Sequence, residues 1–164
     1  MPVAEVQFYD VVKWLHVVAV VVALGVTFSY GVFIAVAAKS APRSMPGIFA
    51  GIQALDRMLV IPGIIVIAAT GIYMTIDLWD FGYFFVTWGI LAVIVLLVMG
   101  AAVFGPNEEK ARVAAEQDVE RAGAGPVEFS SEFNRLNRLL GTAGPIAGIL
   151  VIVTVYVMVA KPFT

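Results

Sequence analysis

The feature that most constrains this chain is a stretch of 25 residues from Trp14 to Ala38 that contains no Asp, Glu, Lys or Arg. At about 1.5 Å of rise per residue, a helix of that length reaches ~37 Å and crosses the ~30 Å hydrocarbon layer of a bilayer. Three later stretches have the same character. We therefore predict a single all-α domain, an integral membrane four-helix bundle over residues 1–164. The predicted spans are about 10–38, 58–77, 81–104 and 141–160.

The composition agrees with a protein dissolved in lipid. Hydrophobic residues make up 61% of the chain and charged residues 13%, whereas soluble domains have about 50% and 25%. The formal net charge of −2, with ten scattered Lys and Arg, provides no basic surface for nucleic acid. The absence of cysteine excludes disulfides, thiolate metal sites and thiol nucleophiles.

The distribution of Lys and Arg predicts the orientation. The connections after the first and third spans hold eight of them, and the remaining connection with the two terminal segments holds two. Because positively charged connections stay in the cytoplasm, we predict a plasma (inner) membrane protein with both termini outside. The 107–139 connection is then a cytoplasmic helical excursion between spans three and four.

The connections themselves have helical patterns. Residues 47–57 are amphipathic and are expected to run into the second span without a break. The third span is expected to end at Gly105-Pro106, and residues 107–122 are predicted to form a polar helix. Within that helix, Glu108 and Arg112 have the i,i+4 spacing of a surface ion pair.

The inward face of the first span is predicted from three- and four-residue steps. Starting at the N-terminal end, these steps connect Tyr9, Lys13, His16, Val20, Ala23, Thr27 and Tyr30. Membrane helices associate through small and hydrogen-bonding side chains. This stripe is therefore the side of the first span that we expect to contact other helices.

His16 is the only histidine in the chain and the one candidate cofactor ligand. A neutral imidazole can bind haem iron, zinc or copper, and membrane cytochromes place an axial ligand early in a span, so haem b is the candidate cofactor. The competing interpretation is an interfacial histidine that forms hydrogen bonds within the protein or with lipid. Because there is no second histidine for a bis-histidine pair, we favour the interpretation without a cofactor, and we predict no metal site.

Four other polar residues are candidates for a site. Lys13 is expected to extend toward the headgroups, and Tyr30 is expected to pack inside the bundle with its hydroxyl satisfied. Asp56 and Arg57 lie at the entrance of the second span, where they are expected to anchor it. Arg57 is expected to pair with its neighbours, a carboxylate of the third connection or lipid phosphate. No span carries a charged side chain at its centre, which disfavours a proton-coupled pump.

Several short motifs together carry a family resemblance. They are Lys13-Trp14-Leu15-His16, Asp56-Arg57-Met58-Leu59-Val60-Ile61-Pro62-Gly63, Thr70-Gly71, Gly105-Pro106 and Lys161-Pro162. With these motifs the chain resembles a family of small bacterial four-span integral membrane proteins that carry a domain of unknown function. More remotely, Leu15-His16 and the Asp56-Arg57...Pro62 segment are similar to membrane protoporphyrinogen oxidases and to copper-resistance membrane domains.

The remote resemblance implies a haem or porphyrin held near His16. The oxidases also carry an Arg late in the first span and a Lys early in the third. Here those regions read Tyr30-Gly31-Val32-Phe33 and Thr87-Trp88-Gly89-Ile90, so the resemblance does not extend to the oxidase activity.

The function expected from the sequence is that of a non-enzymatic membrane component, either alone or as an accessory subunit of a larger membrane complex. Its expected partners are the lipid bilayer and either other membrane subunits or further copies of itself. One alternative is a haem- or porphyrin-binding redox protein that uses His16. A second alternative is a channel or carrier for a small solute.

Overall fold

The computed structural model describes residues 7–163. Within that range the chain forms four long helices and no β-strand. They are α1 (Phe8–Ser40), α2 (Pro42–Leu78), α3 (Phe84–Ala122) and α4 (Ser131–Ala160). The helices have 30 to 39 residues, or about 45 to 58 Å, and each extends beyond a ~30 Å hydrocarbon layer. The prediction of an all-α membrane four-helix bundle is confirmed.

Three π-helical turns interrupt the regular hydrogen bonding, at Val20–Leu24, Asp56–Val60 and Gly100–Phe104. The second and third directly precede the Ile61-Pro62 and Gly105-Pro106 pairs. Proline lacks an N–H and its ring displaces the carbonyl four residues earlier, and a wider turn absorbs both effects. Ile61 and Gly105 accordingly donate to the carbonyls of Asp56 and Gly100, five residues back.

Because of these wider turns, α2 continues beyond Pro62 and α3 continues beyond Pro106. For α2, the expectation that residues 47–57 run unbroken into the second span is confirmed. For α3, the expected boundary between a span ending at Gly105-Pro106 and a separate polar helix is wrong. The apolar span and the polar segment form one helix of 39 residues.

Most apolar side chains of the spans face outward. Only 11% of the residues in the most apolar part of α1, and 17% in each of the other helices, are buried inside the protein. Val21, Ile65, Val98 and Ile152 are examples, with exposures of 65%, 64%, 59% and 60%. Four helices with apolar exteriors of this kind require lipid as their solvent.

The two ends of the bundle differ in packing. We call the end that carries the α1–α2 and α3–α4 connections the connection end, and the opposite end the terminal end. At the connection end, the first turns of α2 and α4 and the last turns of α3 pack around one core. Its side chains include Met45, Phe49, Ala111, Ala115, Phe133 and Leu136, each at most 2% exposed. We call this unit, residues 45–55, 105–122 and 131–140, the connection-end module.

Close approaches at two glycines join α1 to α2 and to α4. An added Cβ at Gly63 of α2 would overlap the Cβ of Ala23 on α1, so only glycine allows this contact. An added Cβ at Gly148 of α4 would lie 3.2 Å from the ring of Phe28 on α1. The second contact places one glycine of the Gly144...Gly148 spacing inside the molecule, where small residues allow helices to approach.

We expect Gly63→Ala to destabilise the protein because the new methyl group overlaps Ala23 and forces α1 and α2 apart. Overpacking of this kind costs about 1–3 kcal/mol, which exceeds the ~1 kcal/mol that alanine gains over glycine within a helix. The matched control is Gly31→Ala, where nothing lies within 4 Å of the added Cβ. Thermal unfolding in detergent should show a lower Tm for the first variant and an equal or higher Tm for the second. Equal shifts would contradict the close α1–α2 contact.

Candidate functional site

The predicted inward face of α1 lies against α2 at three levels. The contacts are His16 with Thr70, Ala23 with Gly63 and Tyr30 with Asp56. On each helix the contacting residues are seven positions apart, and the two helices run antiparallel. A seven-residue repeat is the spacing that keeps one seam of two supercoiled helices in contact. The prediction that this stripe is the contact face is confirmed, and two of its three levels are hydrogen bonds.

At the level nearest the terminal end, the Nδ1 atom of His16 lies 2.8 Å from the Oγ1 atom of Thr70. The Thr70 hydroxyl has one hydrogen, which it donates to the carbonyl of Val66 at 2.6 Å. With that hydrogen on Val66, the hydroxyl accepts from His16 in the tautomer that carries its proton on Nδ1. In this tautomer Nε2 keeps its lone pair, the form in which a histidine binds a metal ion.

Gly71 lies beside this imidazole. An added Cβ at Gly71 would lie 3.4 Å from Cε1 of His16, at the short end of ordinary van der Waals contact. The sequence identifies His16 as a candidate ligand and Thr70 only as part of a short motif. The bond between the two residues was missed because they lie 54 positions apart and nothing local links them.

At the level nearest the connection end, three helices meet. The hydroxyl of Tyr30 on α1 donates to Oδ1 of Asp56 on α2 at 3.0 Å. Glu108 on α3 brings its carboxyl group within hydrogen-bonding reach of Asp56. Glu108 is only 6% exposed, although its side chain carries a carboxyl group. We call Asp56 and Glu108 the carboxyl pair.

The predicted ion pair between Glu108 and Arg112 is wrong. Arg112 instead binds Glu109 at 2.8 Å and Glu116 at 3.1 Å, on the exposed side of α3. A bond to Glu108 would draw the guanidinium toward a buried group and remove part of its hydration, which costs more than pairing at the surface. Glu108 is consequently free to face Asp56.

Two adjacent glutamates thus have opposite electrostatic environments. Both lie beyond the apolar segment of α3, which ends at Phe104. Burial, and then the neighbouring Asp56 carboxyl, raise the pKa of Glu108 to about 8. Hydrogen bonds from Arg112 and Gln53 lower the pKa of exposed Glu109 to about 2. Burial also raises the pKa of Asp56.

The other two predicted polar residues do not join these contacts. Lys13 and Arg57 are exposed, and within residues 7–163 neither forms a hydrogen bond or salt bridge with His16 or the carboxyl pair. The positive charge of Arg57 acts on Glu109. Of the five sequence-predicted site residues, only Tyr30 and Asp56 come together, and Glu108 completes their group.

The fold and its exterior define the class of this molecule, which is a multi-pass integral membrane protein with four apolar helices. The particular family follows from comparison with known proteins. A family model described as "Predicted integral membrane protein (DUF2269)" matches residues 10–162, so the chain belongs to this family. The predicted resemblance to a four-span membrane family of unknown function is confirmed. No curated protein and no solved structure matches the chain.

We expect Thr70→Val to destabilise the protein more than Thr75→Val. Both threonines are buried, at 8% and 7% exposure, and both hydroxyls donate to a carbonyl of their own helix. Only Thr70→Val also leaves the Nδ1–H of His16 without its acceptor, which costs about 1–2 kcal/mol.

The measurement is the free energy of unfolding in detergent, repeated in a His16→Ala background. The difference between the two valine variants should disappear in that background. A difference of the same size with and without His16 would show that the His16–Thr70 bond contributes nothing.

Proposed function

We propose that the protein is a non-enzymatic membrane component that serves as an accessory subunit of a larger membrane assembly. The connection-end module is the surface through which it would bind its partner. The observation that supports this proposal is the contrast between the two parts of the molecule. The spans bury few side chains, whereas the connection-end module has a closed core and holds its exposed charges in fixed positions.

The side chains on the exposed face of α3 are held by specific contacts. Arg112 bridges Glu109 and Glu116, and Gln53 of α2 donates to Glu109 at 3.0 Å. A shallow depression of about 200 Å³, which we call the groove, lies on this face. It is lined by Glu109, Lys110, Val113, Ala114, Gln117 and Glu132. A pre-formed groove with both signs of charge favours a polypeptide partner of complementary charge pattern.

The connection that follows α3 is also held in place. Asp118, whose side chain is 1% exposed, accepts from Arg121 at 2.8 Å and from the backbone N–H of Ser130 at 2.8 Å. Ser130 in turn caps α4 by accepting from the N–H of Phe133. A partner would therefore meet a surface that needs little ordering on binding, which lowers the cost of association.

We expect a photo-crosslinking residue at Gln117, in the groove, to capture a second polypeptide in native membranes. The matched control is the same residue at Ile152, a 60% exposed position in the apolar part of α4, which should give lipid adducts only. The readout is the mass of each adduct on a denaturing gel, followed by peptide identification. Adducts with this chain alone would identify a homo-oligomer, and a lack of any protein adduct at Gln117 would contradict an accessory subunit.

We further propose that the connection end lies in the cytoplasm of the plasma membrane and that both termini lie outside. Eight of the ten Lys and Arg residues belong to the connection end, which supports this orientation. Because the chain has no cysteine, single cysteines can be introduced without background.

In intact cells, an impermeant maleimide should label Asp80→Cys, in the turn between α2 and α3, and should label Glu120→Cys only after permeabilisation. Both positions are exposed, so a difference in labelling reports the side of the membrane and not the burial of the cysteine. The reverse labelling pattern would overturn the proposed orientation.

A second candidate function is haem binding at His16, and one observation favours it. The Thr70 hydroxyl fixes the imidazole with its proton on Nδ1, which presents Nε2 as a ligand, the arrangement that second-shell hydrogen bonds give to metal-binding histidines. A bound haem would supply one-electron redox chemistry. The residues fit one axial ligand: His16 would hold the iron and Thr70 would orient His16.

The test is haem titration of the purified protein in detergent, followed by its Soret absorption. Saturable binding is expected for the wild type and is expected to be lost in His16→Ala. Tyr30→Phe, which alters the other end of the same seam, should bind haem normally. A wild-type protein that neither haem nor porphyrin saturates would remove this candidate without affecting the proposed accessory role.

A further inference from the structure

The carboxyl pair is a chemical group that the proposed function does not use. Tyr30, Asp56 and Glu108 come from three different helices and meet at one point, next to the boundary between the spans and the connection-end module. Within residues 7–163 no Lys or Arg forms a salt bridge with either carboxyl group. Two carboxylates within hydrogen-bonding reach of each other, both ionised and without a cation, would repel each other in a poorly hydrated site.

A second observation concerns the hydrogen bonding of Glu108. Its Oε2 atom is buried and has no hydrogen-bond partner among the described residues. Two ionised carboxyl groups can only accept hydrogen bonds, so Asp56 and Glu108 cannot donate to each other when both are ionised. A single hydrogen placed between the two carboxyl groups turns one of them into a donor and satisfies both.

We propose that the carboxyl pair is a proton-binding site, in which Asp56 and Glu108 share one proton while Tyr30 donates a hydrogen bond to Asp56. The occupied site is a carboxylic acid bonded to a carboxylate, with a net charge of −1. On release the proton passes to water and the pair becomes doubly negative.

The geometry favours a proton over a metal ion. A divalent cation requires about six oxygen ligands, and this site offers two carboxyl groups and one phenol. No group of three His, Asp or Glu residues within 7–163 is arranged to hold a metal ion. A proton needs only two oxygens and leaves the site compact.

The charges around the pair do not replace the proton. On α2, Arg57 is exposed and acts on Glu109. On α3, Arg112 is occupied by Glu109 and Glu116. The remaining cations of the connection end are also exposed. They are Lys39, Arg43, Lys110, Arg121, Arg135 and Arg138.

Proton release should loosen the junction of α1, α2 and α3. The folded protein holds the Glu108 proton up to a pKa of about 8, above the ordinary value of 4.5. The stabilisation that follows from a raised pKa is complete below the unfolded value and is lost as the pH rises through the folded value. The Tm of the purified protein should therefore fall as the pH rises from about 4.5 to about 8, the unfolded and folded pKa values of Glu108, and should level off above that range.

The direct test is infrared spectroscopy of the purified wild-type protein during a pH titration in metal-free buffer. A carboxylic acid carbonyl band should be present at pH 6 and should disappear with a midpoint near pH 8, the pKa of Glu108. The absence of the band at pH 6 would overturn the proposal. A band that appears only after treatment with a chelator would also overturn it, because a cation would then be the occupant.

Three variants assign the band. Glu108→Gln should abolish it and flatten the dependence of Tm on pH, since the remaining Asp56 can ionise beside a neutral amide. Tyr30→Phe should move the midpoint to higher pH, because Asp56 loses the hydrogen bond that stabilises its charge. Glu109→Gln, the exposed neighbour, is the matched control and should leave the band unchanged.

If Glu108→Gln fails to fold, the midpoint of the band in Tyr30→Phe still tests the proposal. A midpoint that does not move, or that moves to lower pH, would contradict a proton shared within this group. A Glu108→Gln variant that folds and keeps the wild-type band would also contradict a shared proton.

Discussion

The contact of Ala23 with Gly63 is the interaction on which the arrangement of α1 and α2 depends. It lies between the His16–Thr70 and Tyr30–Asp56 hydrogen bonds, seven residues from each along both helices. Because the missing side chain of Gly63 lets the two backbones approach closely, both polar pairs come within bonding distance. A wider separation would leave each polar group facing hydrocarbon, where no solvent can replace the lost partner.

The connection-end module is organised by a different force. There the helices extend beyond the apolar segments, and Met45, Phe49, Phe133 and Leu136 form a core of the kind found in soluble proteins, stabilised by the removal of apolar surface from water. The carboxyl pair lies at the boundary between the spans and the connection-end module. Burial by the module and the proximity of the spans limit its hydration, which is why a proton, and not water, is its natural partner.

Much of the fold could be predicted from the sequence, but less of the site. The charge-free stretches predict the four helices, and the three- and four-residue steps from Tyr9 to Tyr30 predict which face of α1 meets another helix. The boundary at Gly105-Pro106 was predicted wrongly, because the π turn at Gly100–Phe104 that absorbs the proline has no sequence signature. Of the site, His16, Tyr30 and Asp56 were identified as individual residues, whereas Glu108 was assigned to a surface ion pair with Arg112.

The sequence by itself determined that the chain lies in lipid, since its apolar stretches are too long and too free of charge for a soluble fold. It also determined the helical class, because helices satisfy their own backbone hydrogen bonds in hydrocarbon. Only the tertiary structure decided which polar groups are partners. Thr70 and Glu108 lie 54 and 52 positions from His16 and Asp56, and helical periodicity carries no information across such distances. Antiparallel packing of α1 on α2 brings Thr70 to His16. The continuation of α3 beyond Pro106 brings Glu108 to Asp56.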